Sequence, residues 1–121
     1  MKRRETGILG EKLAAAHLKR HGYKILETNY RCRGGEIDII ARDRDTLVFV
    51  EVRAKSGRSF GSPEESINAT KMSRLRTAAA HYGMEHTDLP AGRRIDVVAI
   101  DLDKNGRALR IEIIPDAVGG E

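Results

Sequence analysis

The spacing of apolar positions changes along the chain. From Thr6 to Gly22 they recur at helical intervals, with Ile8, Ala14, Ala15 and Leu18 on one stripe and Leu9, Leu13 and Ala16 on the opposite side. Thr6 reads as the N-cap and Gly22 as the glycine just past the helix. A helix that is apolar on two sides is packed on two sides. Glu11, in the middle of the first stripe, therefore points at the sheet and needs a partner there; the alternative is an exposed Glu paired with Lys12. Tyr23 to Asn29 predicts a short strand, and Tyr30 to Gly35 a basic loop carrying Arg31 and Arg33.

Residues 34–55 carry the strongest pattern. Two β-rich runs flank the charged stretch Arg42 to Asp45, which predicts a hairpin. Centring the turn between Arg44 and Asp45 sets Ile40 opposite Phe49, Asp38 opposite Glu51 and Glu36 opposite Arg53. Alternation then sends Glu36, Asp38, Phe49, Glu51, Arg53 and Lys55 to one face, and Ile37, Ile39, Ala41, Val48, Val50 and Val52 to the other. Ser62-Pro63-Glu64-Glu65 has the form of a capping box and predicts a short turn at most. A second helix is expected from Ala69 to Tyr82, ended by Gly83, with Met72, Leu75, Ala79 and Tyr82 buried and Lys71 and Arg74 on an adjacent basic ridge. Ile95 to Leu102 and Leu109 to Ile114 predict a second hairpin about a type I′ Asn105-Gly106 turn, pairing Ile100 with Ile111 and Val98 with Ile113. Helix, strand, hairpin, helix, hairpin is the order of one α/β domain spanning 1–121, a mixed sheet flanked by helices, with 116–121 as a frayed tail.

Charge adds a spatial division. Residues 1–35 hold nine basic and three acidic groups (+6), 36–52 hold two and five (−3), 53–82 hold six and two (+4), and 83–121 hold five and eight (−3). An acidic centre between basic flanks suits a cation at the centre and phosphates at the flanks, although a charge run is also what a solvated face looks like. The loop Ser56 to Gly61 brings Arg58 beside the acidic face as a candidate phosphate contact. One cysteine, Cys32, rules out an internal disulfide framework and fits a reducing compartment, and no apolar run has the roughly 20 residues needed to span a bilayer, so a cytoplasmic location without membrane contact is expected. Three Tyr, two Phe and no Trp give poor support to a stacking platform for single-stranded bases.

The chemistry centres on Asp38 and Glu51. Side chains directly opposite on paired strands have Cβ atoms about 4.5–5.5 Å apart, where like charges repel unless neutralised. A divalent cation with oxygen ligands at roughly 2.0–2.1 Å, such as Mg²⁺, does that; nearby Arg or Lys on a solvated face would do it too. Asp96, at the start of a strand, suits either the site or a strand end.

Glu11 on the first helix, Gly-Glu-Ile-Asp at 35–38 and Phe-Val-Glu-Val-Arg at 49–53 make the chain resemble the YraN-like uncharacterised bacterial family. That family is assigned to the PD-(D/E)XK nuclease superfamily, alongside Holliday-junction resolvases and RecB-type nuclease domains. The resemblance runs from Gly7-x-x-Gly10-Glu11 through Asn29-Tyr30-Arg31, Phe60-Gly61 and Lys71 to Arg94-Ile95-Asp96-Val97-Val98. It implies a restriction-endonuclease-like fold with a mixed sheet of four to five strands. It also implies Mg²⁺ or Mn²⁺ held by Asp38 and Glu51 with Glu11 assisting, and hydrolysis of phosphodiester bonds in DNA, branched or otherwise structured. Members of the superfamily usually carry lysine two residues after the glutamate. Here that position is Arg53, which keeps the charge but cannot act as a base; Lys55 and Lys71 are the candidates to replace it. Arg31, Arg33, Arg58, Lys71 and Arg74 are the expected nucleic-acid contacts, with DNA favoured over RNA. The rival expectation is a nuclease fold without turnover that binds nucleic acid or a protein partner. So small a domain offers limited surface for a duplex, which makes a homodimer reasonable, although no exposed apolar stripe demands one.

Overall fold

The computed structural model describes residues 2–57 and 61–117. Five strands, β1 (Lys24–Cys32), β2 (Gly35–Asp43), β3 (Thr46–Ser56), β4 (Gly92–Leu102) and β5 (Ala108–Ile114), form one sheet in the order β1-β2-β3-β4-β5. Only β3 and β4 are parallel. A parallel pair needs a crossover, which the chain supplies with a 3-10 turn, Pro63–Ser66, and helix α2 (Ala69–Glu85). Helix α1 (Arg3–Arg20) covers one face of the sheet, burying Ala14 and Leu18 against Ile39, Ala41, Val48, Val50, Val98 and Ile100. On the other face α2 buries Leu75, Ala78 and Tyr82 against Tyr30, Ile37, Ile40, Leu47 and Phe49. The result is an α/β fold with a mixed sheet flanked by two helices, of the restriction-endonuclease-like form.

Several expected boundaries move. α1 starts at Arg3 rather than Thr6; Thr6 lies buried inside the helix, its hydroxyl donating to the Lys2 carbonyl at 3.1 Å. The helix closes as expected at Gly22 (φ +88°), where the Gly22 and Tyr23 amides donate to the Lys19 and Leu18 carbonyls. Its buried line is Gly10, Ala14 and Leu18, whereas Ile8 is exposed. A Cβ on Gly10 would come within 2.6 Å of the Ala54 Cβ, so glycine is what lets α1 lie this close to β3. The basic loop expected at 30–35 is largely strand: β1 runs to Cys32, because Tyr30 is buried among Ile37, Phe49 and Tyr82 and holds that segment in the sheet.

α2 does not stop at Gly83. It continues to Glu85, and Gly83 serves as the place where the Arg93 guanidinium lies against the helix. At its other end Asn68 caps the helix by accepting from the Lys71 amide. The turn at Ser62 forms without the side-chain cap expected of a capping box. β4 begins at Gly92, three residues before Ile95. The β4–β5 register is as read, with Ile100 opposite Ile111 and Val98 opposite Ile113. Its turn is not type I′, since only Gly106 has positive φ. Asp103 accepts from the Asn105 and Arg107 amides and its carbonyl from Gly106, which gives a three-residue loop with glycine in the left-handed position. The tail expected to fray from 116 is tied down at its first two residues: the Asp116 amide donates to Asp96 and the Ala117 amide to the Ile95 carbonyl.

Candidate functional site

The β2–β3 hairpin turns at Arg44 (φ +56°) and Asp45, and Ile40 lies opposite Phe49 as expected. The ladder ends at Ile39 and Val50. Beyond it β2 stays with β1 while β3 continues along β4 to Ser56, so the two strands part where Asp38 and Glu51 stand. The expected pairing of Glu36 with Arg53 is therefore absent: Glu36 meets Arg31 at 3.6 Å, and Arg53 turns elsewhere. Strict alternation fails here too. Asn29, inside β1, takes φ +53°, and beside it Ile37 joins Tyr30 on the α2 side of the sheet instead of the α1 side.

Asp38 fills the fork between the strands. Its Oδ2 accepts from the Val52 amide at 2.8 Å, closing the gap that the ladder leaves. Glu51 reaches the same place, its side chain only 13% exposed, and hydrogen-bonds Asp38. Burial pushes the Glu51 carboxyl well above the ordinary carboxylate range, and the Asp38 charge and the shared hydrogen bond push it further; Arg53 and Lys71 oppose them. Glu11 lies on the α1 side of the fork. Burial, then the Asp38 charge, raises its carboxyl as well, against a side-chain hydrogen bond from Asn29 and the nearby Arg31. So the sequence reading that turned Glu11 towards the sheet holds, with Asn29 as a partner that was not anticipated. An asparagine inside a strand pattern, a residue type tolerant of positive φ, is the signal that marked it.

The Asp38 charge thus acts on both Glu11 and Glu51, but among the described residues no three His, Cys, Asp or Glu side chains converge closely enough to form a ready-made metal-binding group. Asp38 and Glu51 are the pair in contact. Two hard oxygen donors held together at the cost of a raised pKa are chemically suited to Mg²⁺ or Mn²⁺, whose charge would replace the shared proton.

The cations arrange themselves beyond this pair. Arg53 Nη1 stands 3.5 Å from Glu51 Oε2, and its Nε donates to Ser66 Oγ at 2.7 Å. Ser66 donates to the Pro63 carbonyl, and the turn carrying it is fastened to β5 through Glu64, which Arg110 grips at 2.7 and 3.1 Å. That grip holds the Glu64 carboxyl down at about 2. Neither Ser66 nor the Glu64–Arg110 clamp was legible in the sequence, since neither pattern nor spacing ties them to Arg53. Lys55 Nζ donates to the Gly61 carbonyl at 2.6 Å. Arg53, Lys55 and Lys71 line a groove of about 760 Å³ together with Arg3, Thr6 and Ser56 from the start of α1 and the end of β3. Among the described residues its lining has four cations and no carboxylate. Thr6 and Ser56 meet across its floor at 3.4 Å.

The remaining expected contacts are dispersed. Arg31 is exposed near Glu11, Arg33 is exposed at the β1–β2 turn, and Arg74 is exposed on α2 outside the groove; Arg58 lies outside the described residues. Asp96 belongs to the frame. Wholly buried, it accepts from Arg94 Nε, Tyr23 Oη and the Asp116 amide, each at 2.9 Å, and Arg94 extends the network to Asp43. No helix among the described residues is long and apolar enough to cross a membrane.

The model of a family described as "Uncharacterised protein family UPF0102" matches residues 10–100. Among curated proteins, a UPF0102 protein of Moorella thermoacetica is 46% identical over 117 residues, covering 97% of this chain and 98% of its own length. A UPF0102 protein of Syntrophus aciditrophicus is 47% identical over 112 residues, 93% of this chain and 87% of its own. One of Geobacter metallireducens is 43% identical over 114 residues, 94% and 92%.

Proposed function

The chain belongs to the uncharacterised protein family UPF0102, and we propose that it is a metal-dependent endonuclease that hydrolyses phosphodiester bonds in DNA, with branched or otherwise structured DNA as substrate. The observation that carries this reading is the pair of largely buried carboxylates, Asp38 and Glu51, at a fork in the sheet that opens beside a groove whose charged lining, among the described residues, is cationic.

In this reading Asp38 and Glu51, with Glu11 at hand, hold Mg²⁺ or Mn²⁺, which when bound lowers the pKa of a water and neutralises phosphate charge. The chain's own residues do the rest. The Val52 amide fixes one Asp38 oxygen, so the carboxylate keeps its direction without substrate. Arg53 stays protonated and serves as an electrostatic clamp on a phosphate, with Ser66 holding its Nε and its Nη1 beside Glu51 where it lines the groove. Proton transfer cannot be its task. Lys55 and Lys71 add positive charge where the phosphate and the leaving oxygen become more negative. Arg31 and the outlying Arg33, Arg58 and Arg74 contribute sequence-independent attraction to the backbone.

The test is cleavage of junction, flap and linear DNA with Mg²⁺ or Mn²⁺ by the wild type and by folded Asp38→Ala and Glu51→Ala variants. The wild type is expected to cut and both variants to be inactive; cutting that survives in the variants removes these carboxylates from the chemistry. A second reading is favoured by two specific observations, Arg53 in place of lysine and the lack of a closed three-ligand group among the described residues. It makes the protein a nuclease-fold module that binds nucleic acid or a protein partner without turnover, and it expects salt-sensitive DNA binding with no metal-dependent product.

A further inference from the structure

The sheet ends in two edges, and they are built differently. Edge strands are templates for pairing unless something blunts them. β1 is blunted twice, by a register shift between Ile25 and Glu27 and by the left-handed backbone of Asn29. β5 has one register shift, where Leu102 pairs with Ala108 and leaves Leu109 out of the ladder, but it is regular from Arg110 to Ile114; it pairs only with β4 among the described strands and exposes Leu109 to 70%. We propose that β5 is a homodimer edge, pairing antiparallel with β5 of a second copy about a two-fold axis through Ile111. The proposal does not rest on the nuclease reading.

The side chains of β5 select this occupant and this register. Ile111 and Ile113 lie on the α1 side of the sheet, in contact with its core. Arg110 and Glu112 lie on the other side, where Arg110 meets Glu64 and Asp101. A two-fold axis perpendicular to the sheet keeps like faces together and pairs positions symmetrically. Centred on Ile111, it sets Ile111 against itself and Arg110 against Glu112 twice, all within the regular stretch of the strand. Centred on Arg110 it would set Arg against Arg, and on Glu112, Glu against Glu, both unfavourable. Glu112 is the most exposed of Arg110's three carboxylate partners, at 54%, and is the one placed to turn to the neighbour. The pairing also brings the exposed Leu109 to the rim of the junction and extends the α1-side core across it through Ile111.

A seven-residue edge is a small interface, so a weak dimer is expected, filling in the micromolar range. Sedimentation analysis of the full chain should show mass rising with concentration from 13.4 kDa towards twice that value. Hydrogen exchange at low and high concentration should then show added protection confined to the amides of residues 109–113. Leu109→Lys and Glu112→Arg, both at exposed positions that leave the monomer fold intact by circular dichroism, should each raise the dissociation constant about tenfold or more. A wild type that stays monomeric to about 1 mM, a dimer indifferent to both substitutions, or added protection in β1 instead would overturn the proposal.

Discussion

Replacing Asp96 by alanine should cost more stability than any other single change to a charged residue of the frame. Asp96 is wholly buried and its two oxygens take hydrogen bonds from Arg94, Tyr23 and the Asp116 amide. Removing one member of such a buried network leaves the others desolvated and unmatched, which typically costs about 3–5 kcal/mol. Unfolding entropy of about 2.1 cal/mol/K per residue gives roughly 0.25 kcal/mol/K for a chain of this length, so the midpoint should fall by about 12–20 °C. Thermal and urea melts followed by circular dichroism measure both quantities. Tyr23→Phe, which removes the hydroxyl that donates to Asp96 and accepts from Arg94 but leaves the Arg94–Asp96 bonds, should cost less, about 1–2 kcal/mol. The double change Arg94→Met with Asp96→Leu should lose less than Asp96→Ala alone, because it leaves no buried charge without its partner. A loss below about 1 kcal/mol for Asp96→Ala, or a double variant as unstable as the sum of its singles, would refute the assignment of Asp96 to the frame.

Other expectations follow from single contacts. Glu51 has its carboxyl raised from 4.5, so the folded, metal-free protein keeps a proton that the unfolded chain loses; stability from this group is full below that value and is lost as pH rises through the raised one. Urea titrations from mildly acidic to mildly alkaline pH should show that decline in the wild type and a flatter profile in Glu51→Gln. Gly35→Ala forces a Cβ onto the Arg74 carbonyl and against Ala78, so α2 must retreat from β2, at a cost of about 1–3 kcal/mol or more in a denaturant melt. Asn68→Ala removes the cap of α2 and should cost about 1 kcal/mol by the same assay, with Asn68→Asp close to neutral.

Where the sequence was legible, short-range geometry decided the outcome. A two-residue turn at Arg44 and Asp45 fixes which residues meet, so the Ile40–Phe49 pair followed from counting, and Val98–Ile113 followed in the same way. Counting fails once the strands stop pairing. The ladder ends one residue short of Asp38 and Glu51, and what unites that pair is a side chain bonding the Val52 amide, together with a kink at Asn29 in a different strand. Neither has a period. Ile37 was assigned to the wrong face for the same reason. Gly10 was passed over because glycine scores as neither apolar nor polar, although its lack of a side chain is what seats α1 on β3. Asp96 was undecidable from the chain because its partner Tyr23 stands 73 residues away.

The central claim is that Asp38 and Glu51 form a cation site. Calorimetric titration of Mn²⁺ and Mg²⁺ into the wild type and into the Asp38→Ala, Glu51→Ala double variant, with folding checked by circular dichroism, tests it most directly. Binding by the wild type, with protons released as Glu51 gives up its own, and none by the folded variant is the expected result. Equal binding by both proteins would contradict the claim and return the two carboxylates to the role of an ordinary buried pair.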